Sequence, residues 1–394
     1  QFVLTAVGCE DFLKEESVSN VTTDSYIVNE AGFEDLVKAC YPLTREIINA
    51  QRTARLVLNG TDIFTQQGWN NPAAGNPSPF ELYDVRLNSS TADLAIFWDV
   101  LYKEIGRTNT VLSRAEGINY ADPAKKEVRV AEAKFLRALS YFYLVQTWGD
   151  VPMPLTETNA ANKNSVRVPS AEIYTQIIKD LTEAEAVLPD EATDYGRATK
   201  GAAQFLLARV YLTRGWNFNN ALGGSAADFQ TALSWADKVI ADYPLVQDYE
   251  LLFPLHEENP LNQYTGSQND KNSEVVFAVQ YSDNVLTNIN EGGSEPGNGF
   301  HSIFGGSGEV LPGNLGRTSD YNRHLDPVLT TPAMYRLFDP QQDDRYAHNF
   351  VDAQYALKDA PNFGYSLADP SLKLSYVSGD TVAYFPPWNE VVPL

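Results

Sequence analysis

One stretch of the sequence, residues 55–90, combines flat aromatic rings with planar amide and carboxylate groups and has no helical periodicity. Its candidate site residues are Asn59, Asp62, Trp69, Asn70 and Tyr83. A ring can cover the apolar face of a ligand, while amides and carboxylates exchange hydrogen bonds with the hydroxyls around that face. A sugar has both features, so this stretch has the chemistry of a carbohydrate site. Such a long irregular stretch also exceeds what a simple connection needs.

A second region rich in Gly, Asn and Ser lies at 260–325 and offers the same chemistry. Its candidate ligand-binding residues are Tyr264, Tyr321 and Arg323. Each candidate also has a structural interpretation, because these three could pack loops, Trp69 could cover the domain core and Asp62 could cap a turn. Both interpretations stay open at the level of the sequence.

Catalytic and metal-binding patterns are weak in this chain. The sequence has no G-x-S-x-G, no phosphate-binding loop and no dinucleotide-binding glycine motif. Acidic pairs such as Asp343–Asp344 could supply carboxylates for glycoside hydrolysis, but adjacent side chains point apart. The four His and two Cys are scattered, so neither a metal nor a cofactor is expected. A net charge of −22 disfavours nucleic acid, and we predict a binding protein that is not an enzyme.

The element that must position these loops is a long helix within Lys125–Pro154. Apolar residues recur there every three or four positions and cover about half the circumference or more, which predicts contact on two sides. They include Val128, Ala131, Phe135, Leu139 and Phe142. Gly149 can end the helix, and the prolines at 152 and 154 prevent it from restarting. Arg129 and Glu132 are expected to pair one turn apart on the helix surface.

Further helices are predicted from the same periodicity. Their ranges are roughly 30–50, 92–116, 170–188, 197–215 and 228–243. The last two partly fit the tetratricopeptide pattern once an insertion around Asn217–Ser225 is allowed, and helix pairs of this type bury their faces by stacking. The sequence predicts a strand at Glu274–Tyr281, a helix at Met334–Phe338, and short strands and turns after residue 345.

The beginning of the chain has the pattern of a lipoprotein signal. Small and apolar residues at 2–8 lead directly into Cys9, and acidic residues follow. We expect residues 1–8 to be the end of a signal peptide and Cys9 to carry lipid, since acyl chains give stable membrane attachment. The alternative is a frayed terminus with an incidental cysteine.

Several motifs together resemble the SusD/RagB family. The long helix contains E-A-x-F-L-R-A-x-x-Y-F-x-L at 132–144, followed by W-G-D-V-P at 148–152. The preceding helix contains W-x-x-x-Y-x-x-I-x-x-x-N-x-x-L at 98–112. The resemblance implies a surface lipoprotein of Bacteroidetes, anchored in the outer membrane, that binds glycans beside a TonB-dependent transporter of the SusC type. It also implies that loops such as Gly60-Thr61-Asp62 contact the ligand.

The predicted fold is mainly α, a tetratricopeptide-like scaffold of helical pairs with irregular loop-rich and short β-strand insertions. Residues 9–250 form the helical scaffold with the excursion at 55–90, and 251–394 form a loop-rich mixed region. Family members continue with another helix pair, so the sequence is expected to be a fragment that lacks the start of its signal peptide and its C-terminal end. Such an incomplete stack is expected to expose apolar helix surface.

Three functional hypotheses follow from this organisation. In the first, the protein captures an oligosaccharide at the cell surface and passes it to a SusC-like transporter without any bond chemistry. In the second, the same kind of lipoprotein binds peptides, as in the RagB branch. In the third, a tetratricopeptide-type scaffold binds only a partner protein and no small ligand.

Overall fold

A computed structural model describes residues 23–48, 56–66, 79–160, 164–252, 271–281, 328–339, 341–346, 353–355, 375 and 381–384. The helices of seven or more residues within this part are α1 (Glu30–Cys40), α2 (Pro42–Ile48), α3 (Ala92–Arg114), α4 (Pro123–Trp148), α5 (Ser170–Glu185), α6 (Lys200–Trp216) and α7 (Ala227–Asp242). One-turn helices lie at Thr23–Tyr26, Pro79–Leu82 and Pro332–Tyr335. Strand β1 (Phe64–Gln66) pairs antiparallel with β2 (Val328–Thr330), and β3 (Ala353–Tyr355) pairs antiparallel with β4 (Thr381–Tyr384).

Consecutive helices stack on one another to form the scaffold. Helix α4 packs against both α3 and α5, α5 packs against α6, and α6 packs against α7. Helices α1 and α2 lie against α3. The prediction of a mainly α scaffold of helical pairs with short strands is therefore confirmed. No helix in the described part of the chain is long and apolar enough to span a membrane.

Helix α4 is the centre of this stack, and its sequence explains why. Asp122 caps its start by accepting a hydrogen bond from the Ala124 N–H at 2.9 Å. Its end is set by Gly149, whose φ of 68° lies in the left-handed region. Between these ends, Leu136, Tyr141 and Leu144 are completely buried, so α4 has neighbours on two sides, as its apolar circumference predicts.

Two buried clusters of charge fix the arrangement of the helices. In the first, Arg137 of α4 donates to both carboxylate oxygens of Asp180 in α5, at 2.8 and 2.7 Å. The same guanidinium donates to the Asn109 side chain of α3 at 3.0 Å. A single side chain thus links three helices, and its charge is compensated inside the protein.

The second cluster corrects the expectation for Arg129 and Glu132. They do pair, with 2.5 Å between Nη1 and Oε1, but Glu132 is only 1% exposed, so the pair is not a surface feature. Glu132 also accepts hydrogen bonds from Tyr41 at 2.8 Å and from Arg197 at 2.7 Å, and Arg129 bonds Glu34 of α1. These groups are largely withdrawn from water, and they satisfy one another instead.

The predicted single helix at 30–50 is wrong, because the structure divides it into α1 and α2. Helix α1 ends at Cys40, and α2 begins at Pro42. Proline lacks the N–H that a continuing helix needs, whereas it is well tolerated in the first turn of a new helix. At this junction Cys40 is fully buried, as expected for a small core residue.

The predicted strand at Glu274–Tyr281 is also wrong. The segment has no strand partner in the described part of the chain and is held by side chains instead. Phe277 packs edge-to-face on Phe135 with ring centroids 5.3 Å apart, and Arg45 donates to the Gln280 carbonyl at 2.7 Å. Its β-branched and aromatic residues therefore reflect burial against helices. The helix predicted at Met334–Phe338 is reduced to the single turn Pro332–Tyr335.

Candidate functional site

Three of the predicted site residues, Asn59, Asp62 and Tyr83, lie in the described part of the chain, and the structure brings their two segments together. We call residues 56–66 and 79–84 the site loop. The Gly60 N–H donates to Glu81 Oε2 at 3.0 Å, and the Tyr83 hydroxyl donates to the Gly60 carbonyl at 3.1 Å. Gly60 thus joins the two segments of the site loop through both its N–H group and its carbonyl group.

Gly60 occupies a position that no other residue could take without strain. Its φ is 71°, in the left-handed region. A Cβ atom there would also collide with the Phe80 carbonyl oxygen and approach the Tyr83 ring to 2.9 Å. The glycine therefore allows the Tyr83 ring to lie directly against the backbone of the opposite segment.

Glu81 was not singled out by the sequence, but it holds the site loop together. One carboxylate oxygen accepts the Gly60 N–H, and the other accepts the Thr65 hydroxyl at 2.6 Å. The only sequence signal for this role is an acid beside the predicted rings, in P-F-E-L-Y at 79–83. A carboxylate that accepts two hydrogen bonds fixes the shape of the loop that presents Tyr83.

Tyr83 presents an aromatic ring to solvent. It is 68% exposed, although its hydroxyl is used within the loop. Its own φ is 50°, which is uncommon for an aromatic residue and marks a turn at this point. The next residue is fixed as well, because Arg86 holds the Asp84 carboxylate with two guanidinium nitrogens and lowers its pKa.

Asp62 is exposed, whereas Asn59 is 3% exposed and lies inside the loop. The turn beside Asp62 is capped by Thr61, whose hydroxyl donates to the Leu58 carbonyl at 2.8 Å and accepts from the Phe64 N–H at 3.2 Å. The Asp62 carboxylate makes no hydrogen bond with the part of the chain that the structure describes. Of the three residues, Asp62 and Tyr83 are therefore the two that face solvent.

A distant segment anchors the far side of the site loop. Strand β1 pairs with β2 in the register Phe64↔Thr330, and Thr331 continues the contact. Its N–H donates to the Ile63 carbonyl at 2.9 Å, and its hydroxyl donates to the Asp62 carbonyl at 2.5 Å. The backbone carbonyls of Asp62 and of the residue after it are thus both held by Thr331, which lies 269 positions from Asp62 in the chain.

The other predicted site residues lie outside the described part of the chain. They are Trp69, Asn70, Tyr264, Tyr321, Arg323 and the predicted lipid attachment residue Cys9.

The tryptophans on helices differ in how far they are exposed to solvent. Trp98 and Trp148 pack edge-to-face with centroids 5.1 Å apart and lie against the core, as their positions on helical faces predict. Trp235 also lies against the core. In contrast, Trp216 at the end of α6 is 64% exposed. The sequence could not decide where this last side chain lies.

A cleft of about 280 Å³ lies between the α1–α2 corner, residues 194–197 and the segment at 278–280. Its two guanidinium groups are engaged with other residues. Arg45 bonds the Gln280 carbonyl and lies over the Tyr281 ring, and Arg197 bonds Glu132 and Asp194. The Arg45 contacts attach the 271–281 segment to the scaffold, and the Arg197 bonds tie residues 194–197 to α4, so the cleft is a packing seam.

Metal binding and acid catalysis are not favoured by the arrangement of the described residues. No group of three or more His, Cys, Asp or Glu in that part of the chain is placed to hold a metal ion. Asp343 of the acidic pair is bound by the guanidinium of Arg345 at 2.6 Å, and this hydrogen bond lowers the Asp343 pKa. A carboxylate whose ionised form is stabilised by a guanidinium is a poor proton donor, so Asp343 does not suit general acid catalysis.

Comparison with known proteins places this scaffold in a family. A SusD-like family model, described as "Starch-binding associating with outer membrane", matches residues 11–212. "SusD-like protein P25" of Formosa agariphila is 25% identical over 77% of this chain and 54% of its own length. The chain spans about half the length of the curated relatives it matches.

Solved structures show the same fold. One, described as "Laminarin binding SusD-like protein", has a TM-score of 0.63 and 23% identity, covering 93% of this chain and 74% of that one. Another, described as being with a xylogluco-oligosaccharide, has a TM-score of 0.58 and 24% identity, covering 82% of this chain and 58% of that one. Because the family model matches just over half of the residues, the chain belongs to the SusD/RagB family.

Proposed function

We propose that this protein captures a glycan at the cell surface through the site loop and passes it on without changing any bond. The observation that carries the proposal is that an exposed ring, Tyr83, and an exposed carboxylate, Asp62, lie on one loop that is held in one shape. The ring suits the apolar face of a sugar, and the carboxylate suits its hydroxyls.

The fixed geometry of the loop makes it suitable for binding. The bonds of Glu81 and Tyr83 to Gly60, and the contacts of Thr331 with the Asp62 backbone, order these groups before a ligand arrives. A site ordered in advance loses less conformational entropy on binding, which matters for a ligand recognised through few contacts. The helical stack provides the rigid base that such a site requires.

The family supports a glycan as the ligand class. The matching family model is described as starch-binding, and the structural neighbours include one described as laminarin-binding and one described as being with a xylogluco-oligosaccharide. Trp69, Asn70, Tyr264, Tyr321 and Arg323 supply further rings and polar groups of the same kind, and we propose that they extend this site.

We place the protein at the outer surface of the outer membrane, with lipid at Cys9 as its anchor and a SusC-like TonB-dependent transporter as its partner. The outer membrane is part of the family model's description. Mass spectrometry of the N-terminus of membrane-extracted protein tests the anchor, and co-purification from detergent tests the transporter.

The binding function is tested with Tyr83→Ala in affinity gels cast with a panel of neutral polysaccharides. The variant should migrate faster than the wild type in gels that retard the wild type, with unchanged circular dichroism and melting temperature. Tyr26→Ala is the matched control, since Tyr26 is also an exposed tyrosine, at 47%, but lies far from the site loop in the chain.

Two results would contradict the proposal. Equal retardation of the wild type and Tyr83→Ala would remove the site loop from ligand binding. Calorimetry in which peptides bind and no glycan does would assign the protein to the peptide-binding branch.

A further inference from the structure

The last residue of α6 and the loop that follows it, residues 217–226, together carry an exposed pair of aromatic rings on the helical scaffold. Trp216 and Phe218 are 64% and 63% exposed. Their centroids are 6.4 Å apart and their planes differ by only 14°. The two rings are thus stacked with nearly parallel planes, and both remain mostly exposed to solvent. Exposing large aromatic side chains to water costs free energy, and adjacent exposed apolar residues often mark a binding site.

The ring pair is supported from behind. Phe229 of α7 packs edge-to-face on Trp216, with centroids 5.6 Å apart and planes at 80°. Gly215 allows this contact, because a Cβ atom at that position would lie 2.8 Å from the Phe229 ring. Trp216 is thus held in place by one ring while its own ring remains mostly exposed.

Two sets of hydrogen bonds hold the backbone that carries the ring pair. Asn217, at a φ of 40°, donates from Nδ2 to the Gly224 carbonyl at 2.9 Å and accepts the Leu222 N–H at 3.0 Å. At the base of the loop, Arg214 holds Asp228 through two hydrogen bonds of 3.1 and 2.5 Å, and Asp228 is 6% exposed. The rings therefore stand on a fixed turn.

The residues next to the rings in the sequence are uncharged, and several are polar. Residues 215–227 contain no ionisable side chain, in a chain with a net charge of −22. Asn219 and Asn220 are exposed and both have positive φ, at 55° and 56°. Their amides make no hydrogen bond with the residues that the structure describes. Each amide can donate to and accept from a hydroxyl, and the absence of charge favours a neutral ligand.

We propose that Trp216 and Phe218 form a second carbohydrate-binding platform that stacks on sugar rings of a neutral polysaccharide. For its ligand class this inference rests on the proposed function, but it places the platform on the α6–α7 hairpin, apart from the site loop. A platform of two rings binds a short sugar weakly. Its main effect is to hold a long chain that is also bound at the site loop, because the second contact is then intramolecular.

The test uses the double variant Trp216→Ala/Phe218→Ala in the polysaccharide affinity gels of the Tyr83 experiment. Retention of long polysaccharides should fall by about tenfold, whereas calorimetric affinity for a short oligosaccharide should change little. Leu233→Ala is the matched control, since Leu233 is an apolar residue of the same hairpin that is 51% exposed and carries no ring.

A second series separates stacking from simple apolar contact. Trp216→Phe keeps a ring and should keep most of the retention, whereas Trp216→Leu keeps an apolar side chain of another shape and should lose it. Equal retention in Trp216→Phe and Trp216→Leu, or no loss in the double variant while the wild type is retarded, overturns the platform alone. Unchanged retention in the double variant is also the result expected if the ring pair contacts a protein. A wild type that no glycan retards overturns both proposals.

Discussion

The helical stack and the site loop are held by different forces. In the stack, Arg137 and Asp180 are 7% and 1% exposed, and the apolar side chains around them are almost fully buried. In the site loop, the fixed points are a glycine conformation and the carboxylate of Glu81, and the ring that they position is 68% exposed. The stack owes its stability to burial, which is distributed over many residues, whereas the shape of the loop depends on a few directional contacts.

This difference separates stability from recognition. A buried apolar side chain contributes about 1.5–3 kcal/mol, so the stack can tolerate the loss of any one surface contact. The loop gains little stability from burial. A substitution there should therefore change the geometry of ligand binding more than it changes the free energy of unfolding. Substitutions in the stack should therefore lower stability with little effect on binding, whereas substitutions in the site loop should lower binding with little effect on stability.

The largest effect is expected for Arg137→Met. The substitution leaves the Asp180 carboxylate buried without its cation, which should lower the free energy of unfolding by about 3–5 kcal/mol in urea titrations. Replacing Asp180 by Leu as well should recover much of this loss, because an apolar pair of similar volume is often tolerated. Lys200→Met is the control, since its partner Asp190 is 82% exposed and the pair should contribute less than about 1 kcal/mol. Equal losses from Arg137→Met and Lys200→Met would show that burial does not govern the scaffold's ion pairs.

A smaller and pH-dependent effect is expected for Asp228→Asn in the α6–α7 hairpin. The hydrogen bonds from Arg214 lower the Asp228 pKa below its ordinary value of 3.8 in the folded protein. The stabilisation is thus complete above the unfolded-state pKa and is lost as the pH falls through the lower folded-state pKa. We expect a loss of about 1.5–3 kcal/mol at pH 7, and a smaller difference between variant and wild type in more acidic urea titrations. A difference that does not shrink in acid would mean that charge is not what closes this hairpin.

The sequence predicted the stack better than the loops, for a physical reason. Helix α4 repeats its apolar residues at the period of one helical turn, and that signal is local. Pro42 was a local signal too, but the apolar pattern on both sides of it suggested one helix. The prediction for 274–281 failed because partly buried coil and partly buried strand favour the same residue types. Contacts with residues distant in sequence, such as Phe135 and Arg45, decide between them.

At the candidate site, composition predicted the residue types but not the geometry. Asp62 and Tyr83 were singled out because rings and acids are concentrated at 55–90. Burial of Asn59 and the role of Glu81 depend on how the chain returns to Gly60, and no periodicity encodes that return. The anchoring of Asp62 by Thr331 is a still longer-range contact.

Gly60→Ala should affect the site loop more than the stack. The residue must keep a φ of 71°, and its new methyl group meets the Phe80 carbonyl, so a local cost of about 1–2 kcal/mol is expected. Retention in glycan affinity gels should fall clearly, because the Tyr83 ring must move. Gly106→Ala is the control: a Cβ atom there meets nothing within 4 Å, so that variant should be as stable as the wild type or slightly more stable. Normal glycan retention by Gly60→Ala would mean that the loop adapts to its ligand.

The smallest change in stability, with a clear change in binding, is expected for Glu81→Gln. Both carboxylate oxygens of Glu81 accept hydrogen bonds, from Gly60 and Thr65. A glutamine can accept only one of them, and its NH2 group keeps a contact with Thr65 only if the Thr65 hydroxyl turns to accept. The free energy of unfolding should change by less than about 1.5 kcal/mol, whereas glycan retention should fall. Glu116→Gln controls for the loss of one negative charge at an exposed position elsewhere.

If Glu81 acts by positioning Tyr83, then Glu81→Gln should have little further effect on binding in the Tyr83→Ala background, as a double-mutant cycle measures directly. Additive losses in that cycle would mean that Glu81 affects the ligand by a route that does not pass through the ring.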